Sequence, residues 1–188
     1  MIQVILRRLL SAGFDSACGL RVGGSLACWG DNTSGQSTPP SGIFTQVSAG
    51  WSFACGVRAN KTLACWGFNI NGETLAPSGS FVEVSAGYER ACGLETDGRV
   101  TCWGDNPQPP SGHFTQVSVS DGDYLPIVCG ITKGGSVACW GVPSVDYGLI
   151  KPPTGRFTQV STGYDFVCGV RNTGSVVCWG GMPTNIPS

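Results

Sequence analysis

Ten cysteines set the organisation of this chain. They fall as Cys18/Cys28, Cys55/Cys65, Cys92/Cys102, Cys129/Cys139 and Cys168/Cys178, each pair spaced C-x9-C. The first members of the pairs are 37, 37, 37 and 39 residues apart. A constant period of this size is the mark of a repeat architecture, in which one supersecondary unit stacks on copies of itself. Five units fill nearly all of the 188 residues, at approximately 1–40, 41–77, 78–110, 111–153 and 154–188, in a single repeat domain.

Each unit repeats the same text. It opens on a strand-like run, as in Phe44 to Ser48, Phe81 to Ser85, Phe114 to Ser118 and Phe157 to Ser161. A small-residue turn follows, then an aromatic, then Cys-Gly, a short turn and an alternating run that ends in Cys-Trp-Gly. A long polar loop closes the unit, as in Asp31 to Gly42. Three short strands and one long loop per unit predict an all-β chain. Composition agrees, because 29 glycines and only 12% charged residues suit many short strands joined by tight turns.

Inside each cysteine pair the turn reads Val22-Gly23-Gly24, Ala59-Asn60-Lys61, Thr96-Asp97-Gly98, Lys133-Gly134-Gly135 or Asn172-Thr173-Gly174. A three-residue hairpin loop ends in a left-handed residue, a conformation glycine takes cheaply. Centring the hairpin on the middle residue sets Cys18 opposite Cys28, and the other pairs likewise. The pair then falls at a site where the strands approach closely and a cross-strand disulfide is feasible. Each bridge would close a loop worth roughly 2.5–3 kcal/mol by chain entropy. Five matched pairs point to an oxidising compartment. Reduced cysteines packed between sheets are the alternative, since free cysteine is a common core residue. Zinc is disfavoured, because C-x9-C is wider than usual ligand spacing and the chain holds one histidine, His113.

Charge excludes several functions. Eleven basic and 12 acidic residues give a net charge of −1, which argues against a phosphate-tracking nucleic-acid binder. No run approaches the 18 or so apolar residues of a membrane span. There is no G-x-S-x-G elbow, P-loop or metal-ligand cluster, so neither an enzyme nor a cofactor is expected. Asp121, Gly122 and Asp123 read as a turn rather than an acid/base pair.

Units reading FTQVSAG…CG(V/L)…CWG…GQ…PPSG resemble the regulator of chromosome condensation repeat family over residues 8 to 182. The likeness is to its short-blade, cysteine-bearing form, similar to a secreted bacterial β-lactamase-inhibitor propeller and to the ectodomain repeats of crinkly-type receptor kinases. The resemblance implies a β-propeller-like array of five blades of about three antiparallel strands. Such an array closes as five blades, stays an open arc, or is a piece of a seven-bladed propeller. Self-association follows if the ring is incomplete. Met1 to Leu10 stand where Phe-Thr-Gln-Val is expected, and read as a substituted or truncated first strand. As a signal peptide they are poor, because Arg7 and Arg8 follow the apolar residues. The cysteines imply an extracellular or cell-surface protein, which a lost upstream segment would reconcile with this start.

A scaffold repeats its core and varies its surface. The invariant Trp29, Trp66, Trp103, Trp140 and Trp179 read as contacts between units, as do the repeated phenylalanines. The segment after the turn varies most: Phe14 and Asp15; Trp51 and Phe53; Tyr88, Glu89 and Arg90; Asp123 and Tyr124; Tyr164, Asp165 and Phe166. Around an axis these residues form a ring of aromatics with acids and one arginine. Aromatics and arginine anchor protein interfaces, and in the resembling inhibitor propeller a comparable face grips a protein. The bland reading is that the aromatics plug the hub. The leading expectation is a non-enzymatic protein-binding module with an unidentified protein partner. The alternatives are an intracellular guanine-nucleotide-exchange or regulatory propeller and a structural repeat with no dedicated ligand.

Overall fold

Each unit folds as a three-stranded antiparallel meander in the computed structural model, which describes residues 10–105, 108–123, 126–141 and 148–181. The first sheet holds β1 (Leu10–Ala12), β2 (Ser16–Leu20) and β3 (Leu26–Gly30). The second holds β4 (Phe44–Ala49), β5 (Phe53–Arg58) and β6 (Leu63–Gly67). The third holds β7 (Phe81–Ala86), β8 (Arg90–Glu95) and β9 (Val100–Gly104). The fourth holds β10 (Phe114–Val119), β11 (Ile127–Thr132) and β12 (Val137–Gly141), and the fifth β13 (Phe157–Thr162), β14 (Phe166–Arg171) and β15 (Val176–Gly180).

The hairpin register is the expected one. Cys18 faces Cys28, Cys55 faces Cys65, Cys92 faces Cys102, Cys129 faces Cys139 and Cys168 faces Cys178. All five pairs are disulfide-bonded, with Cα atoms 4.0–4.1 Å apart. This geometry favours the disulfide over reduced cysteines packed between sheets, and the second members Cys28, Cys65, Cys139 and Cys178 are half-buried. Cys139 and Cys178 lie on the outer strands β12 and β15, where one flank of the sheet is open. The third turn residue is left-handed in every unit. It is Gly24, Gly98, Gly135 and Gly174, and at the one non-glycine position Lys61 takes φ 70°. The strand after each turn ends in Cys-Trp-Gly, and in the second, third and fifth sheets the tryptophan holds the preceding long loop. Indole Nε1 of Trp66 donates to the Gln36 carbonyl at 2.9 Å, Trp103 to Glu73 at 2.8 Å and Trp179 to Leu149 at 3.0 Å.

The core lies between sheets. One face of each sheet carries the disulfide, and the next sheet lays its valines and tryptophan on it. Cys92, Leu94 and Cys102 of the third sheet bury Val117, Val128 and Trp140 of the fourth. The same set recurs at the other three junctions, with Cys129 and Cys139 of the fourth sheet against Val160, Val167 and Trp179 of the fifth. The Cys-Gly glycine makes room for the phenylalanine that starts each unit. A Cβ on Gly56, Gly93, Gly130 or Gly169 would stand 2.7 Å from the ring of Phe44, Phe81, Phe114 or Phe157.

Hydrogen bonds lock the junctions. The first strand of each sheet is paired on one side only, by the second strand. Its free edge is capped by side chains of the preceding sheet. Gln46 Nε2 donates to the Val84 carbonyl at 2.7 Å, and its Oε1 accepts the Val84 N–H at 2.8 Å. Gln116 clasps Val160 in the same way, at 2.9 and 2.8 Å. The hydroxyls of Ser11, Ser48, Ser85 and Ser118 accept the N–H of Ala49, Ala86, Val119 and Thr162, each at 3.0 Å. A bulge after the phenylalanine of each of β4, β7, β10 and β13 sets this register.

The sheets pack in chain order, and among the described residues the fifth makes no comparable contact with the first. Of the three arrangements the family resemblance allows, the described sheets do not close as a five-bladed ring, which leaves the open arc and the piece of a larger propeller. The ends of the described array are bare. Trp29, with no preceding sheet among the described residues to cover it, is 52% exposed, whereas the other four tryptophans of the series are 7–9% exposed. At the far end Gln159 and Ser161, which repeat the clasp of Gln46 and Ser48, are exposed.

Gln46→Ala leaves the buried edge of Val84 without its donor and acceptor, and should lower unfolding free energy by about 2–4 kcal/mol. Gln159→Ala removes the same side chain from a site with nothing to clasp, and should stay within about 0.5 kcal/mol. Denaturant unfolding of the two variants, each against wild type, checks the pair. Intact mass after alkylation without reductant should show no labelled thiol and a chain about ten daltons lighter than the reduced form.

Candidate functional site

The first and second strands of each sheet meet at an inner turn, and these turns converge at the axis of the arc. Glycine brings them close. A Cβ on Gly13 would collide with the carbonyl oxygen of Gly50, one on Gly50 with that of Gly87, and one on Gly87 with that of Ser120. The Trp51 N–H also donates to the Gly87 carbonyl at 3.1 Å. Turn therefore touches turn, and the residue after each is carried to the hub.

That residue is Phe14 in the first sheet, Trp51 in the second, Tyr88 in the third, Asp121 in the fourth and Tyr164 in the fifth. Together with Gly13 and Asp123 they line an open cavity of about 470 Å³. Phe14 meets Trp51 edge-on with ring centroids 5.6 Å apart, and Trp51 stacks on Tyr88 at 4.1 Å and 23°. Both are favourable aromatic geometries. Across the cavity the Tyr164 hydroxyl donates to Asp123 Oδ1 at 2.7 Å. Phe14 is 71% exposed and Tyr164 53%, and Trp51 and Tyr88 are half-buried.

The remaining candidates divide. Asp15 and Asp165 are exposed on the same turns, next to Phe14 and Tyr164. Glu89 is half-buried beside Tyr88, and its Oε2 accepts Asn71 Nδ2 at 2.9 Å. Phe53, Arg90 and Phe166 do not line the cavity, because they are the first residues of β5, β8 and β14. Phe53 and Arg90 are only 1% exposed and Phe166 is half-buried. Arg90 donates through Nε to the Asp105 carbonyl at 2.8 Å and pairs through Nη2 with its carboxylate at 3.3 Å. Its burial pulls the guanidinium pKa down, against the pull of Asp105. The ring is thus aromatic and acidic, with its one arginine folded beneath it. Tyr124 lies outside the described residues.

Asp121 is the lining residue that sequence reasoning read only as part of a turn. Counting two residues on from the end of the first strand locates it. Val119-Ser120-Asp121 occupies the place of Ala49-Gly50-Trp51, and the fourth unit then carries an insertion that lengthens its inner turn before β11. Among the described residues no group of three or more His, Cys, Asp and Glu side chains is placed to hold a metal ion.

Burial raises the Glu89 pKa above its ordinary value, and the negative charge of Glu73, Asp105 and Asp123 adds to this, with Arg90 opposing. A carboxyl raised in the folded state binds its proton more tightly there than in the unfolded chain. The folded form is therefore favoured at low pH, and loses that gain as pH rises from the ordinary 4.5 through the folded value. Glu89→Gln, which keeps an acceptor for Asn71, should raise the melting temperature at pH 7. The advantage should vanish below about pH 4.5, as thermal melts across that range would show.

Comparison with known proteins agrees with this architecture. The profile of the Regulator of chromosome condensation (RCC1) repeat matches residues 8–36, 44–73, 81–108 and 157–183. The fourth unit, which carries the insertion, lies outside these spans. Among solved structures the chain is similar to the entire ectodomain of the receptor kinase CR4 from Physcomitrella patens. Identity there is 32% and the TM-score 0.73, over 95% of this chain and 52% of that one. It is similar also to the CRINKLY WD40 ectodomain of the receptor kinase ACR4 from Arabidopsis thaliana, at 30% identity and TM-score 0.79, over 95% of this chain and 66% of that one. Prp20p from Saccharomyces cerevisiae shares the fold at 13% identity and TM-score 0.72, over 91% of this chain and 57% of that one. The chain spans between half and two thirds of each of these proteins. No curated protein sequence matches it.

Proposed function

Because the chain belongs to the regulator of chromosome condensation repeat family, we propose that it is a non-enzymatic protein-binding module that grips its partner at the hub of the arc. One observation carries this reading. The fold repeats its buried positions from sheet to sheet, yet at the hub the five sheets bring four residue types, Phe14, Trp51, Tyr88, Asp121 and Tyr164, around one open cavity. Exposed aromatics on a rigid base are the residues from which interface hot spots are made. A mere plug would fill the hub, whereas these residues line an open cavity of about 470 Å³.

The module works outside the cytosol, at a cell surface or in solution. Five bonded cysteine pairs support this, since such bonds persist in oxidising compartments. Likeness to two receptor-kinase ectodomains supports it as well. The likeness to Prp20p, described as binding Gsp1p and histones, carries the fold and not those partners.

Capture from a mixture of secreted and surface proteins tests the reading. Wild type should retain a partner that the Trp51→Ala/Tyr88→Ala chain loses by at least tenfold, with the variant's fold verified by its intact disulfides and circular dichroism. A partner retained equally by both chains would move the site away from the hub.

A further inference from the structure

The hub reading says where a partner binds; the charge distribution says what the partner must bring. The chain as a whole is nearly neutral, at −1. On the five inner turns the balance is different. Asp15, Glu89, Asp121, Asp123 and Asp165 stand there, five of the chain's 12 acids, and the one basic residue on these turns is Arg90. Arg90 is folded beneath the hub and engaged with Asp105, so its charge is not presented to the cavity.

The apolar part of the lining has the same polarity. An aromatic ring is electron-rich on its face, and it attracts a cation there more strongly as water is excluded. Trp51 and Tyr88 form one wall of the cavity, Tyr164 stands with the acids, and two carboxylates, Asp121 and Asp123, line the fourth sheet's side. The Tyr164 hydroxyl bond to Asp123 holds ring and carboxylate in one arrangement and leaves the carboxylate's charge in place. An anion is repelled by this lining, and a neutral apolar group gains nothing from its acids. The volume, about 470 Å³, accommodates a side-chain head group with room to spare.

We propose that the hub cavity is a recognition site for an organic cation, an alkylammonium or guanidinium group borne by the partner protein on a lysine, methylated lysine or arginine. This rests on the hub being the binding face and adds the chemistry it selects.

Two small probes of one shape test it: choline and its neutral isostere 3,3-dimethylbutan-1-ol, titrated into the full-length oxidised chain. Binding is read from Trp51 fluorescence, assigned by the signal lost in Trp51→Phe. Choline should saturate with a Kd on the order of millimolar, as expected for a small ligand held by few contacts. The isostere should bind about tenfold more weakly, the size of a partly desolvated cation–π contact. Asp121→Asn/Asp123→Asn, which preserves the acceptor for Tyr164, should weaken choline several-fold and leave the isostere unchanged. N-acetyl-arginine methylamide against N-acetyl-lysine methylamide then separates guanidinium from ammonium. Equal binding of choline and its isostere, or no response from Trp51 to any cation, would overturn the proposal. If the cations fail while partner capture still depends on Trp51 and Tyr88, the hub binds protein without reading charge. If both fail, the hub reading falls with it.

Discussion

Every sheet in this array begins with a strand that has one bare edge, and a bare edge invites pairing with another chain. The fold answers with side chains. A serine from the preceding sheet reaches across every junction to a backbone N–H that no strand pairs, and at two junctions a glutamine joins it and takes both an N–H and a C=O, as Gln46 and Ser48 do for Val84 and Ala86. The bond is satisfied in both directions, so the two sheets are held in one register as well as held together. The apolar cluster beneath is tolerant of small slips, as apolar clusters are, whereas a two-point clasp on one peptide group is not. The angle between successive sheets, and hence the convergence of their inner turns, depends on this contact.

The hub inherits its geometry from that convergence. Glycines at Gly13, Gly50 and Gly87 leave no space for a Cβ between one turn and the next, so the residues that follow them are forced into a common cavity whatever their chemistry. Evolution of the hub is then free of packing constraints that bind the rest of the unit. Phenylalanine, tryptophan, tyrosine and aspartate all occupy one structural position there, while cysteine and tryptophan are invariant a few residues away. Diversity at the hub and uniformity at the junctions are two consequences of the same stacking.

Much of this could be read in the text of the repeat. The cysteine period located the sheets, the turn residues centred the hairpins, and the varied segments marked the hub. Three things could not be read there. Phe53, Arg90 and Phe166 share those segments with Trp51, Tyr88 and Tyr164, but they begin the second strands, where alternation turns a side chain away from the cavity. Spacing along a turn does not reveal where the strand's alternation starts. Asp121 was hidden because the insertion shifts the count from the cysteine end of the unit, although not from the strand before it. Trp29 is written like its four counterparts yet lies open, since its burial is supplied by a neighbouring sheet that it lacks. A repeated residue has a repeated environment only in the interior of an array.

The disulfides strengthen each unit from within. A three-stranded sheet of five or six residues per strand is at the lower limit of independent stability. Among the described residues the second, third and fourth sheets are packed from both sides, and the first and the fifth from one. Cross-linking the second and third strands of every sheet, with Cα atoms about 4 Å apart, lowers the entropy each unfolded unit can recover. That includes the first and fifth units, through Cys18–Cys28 and Cys168–Cys178. Stability is thereby placed inside the units as well as at the junctions. The junctions are left to set geometry, and the hub, built where all five meet, is the element that feels any change in them. A partner held at the proposed hub site would touch several sheets at once and so respond to the same junction geometry.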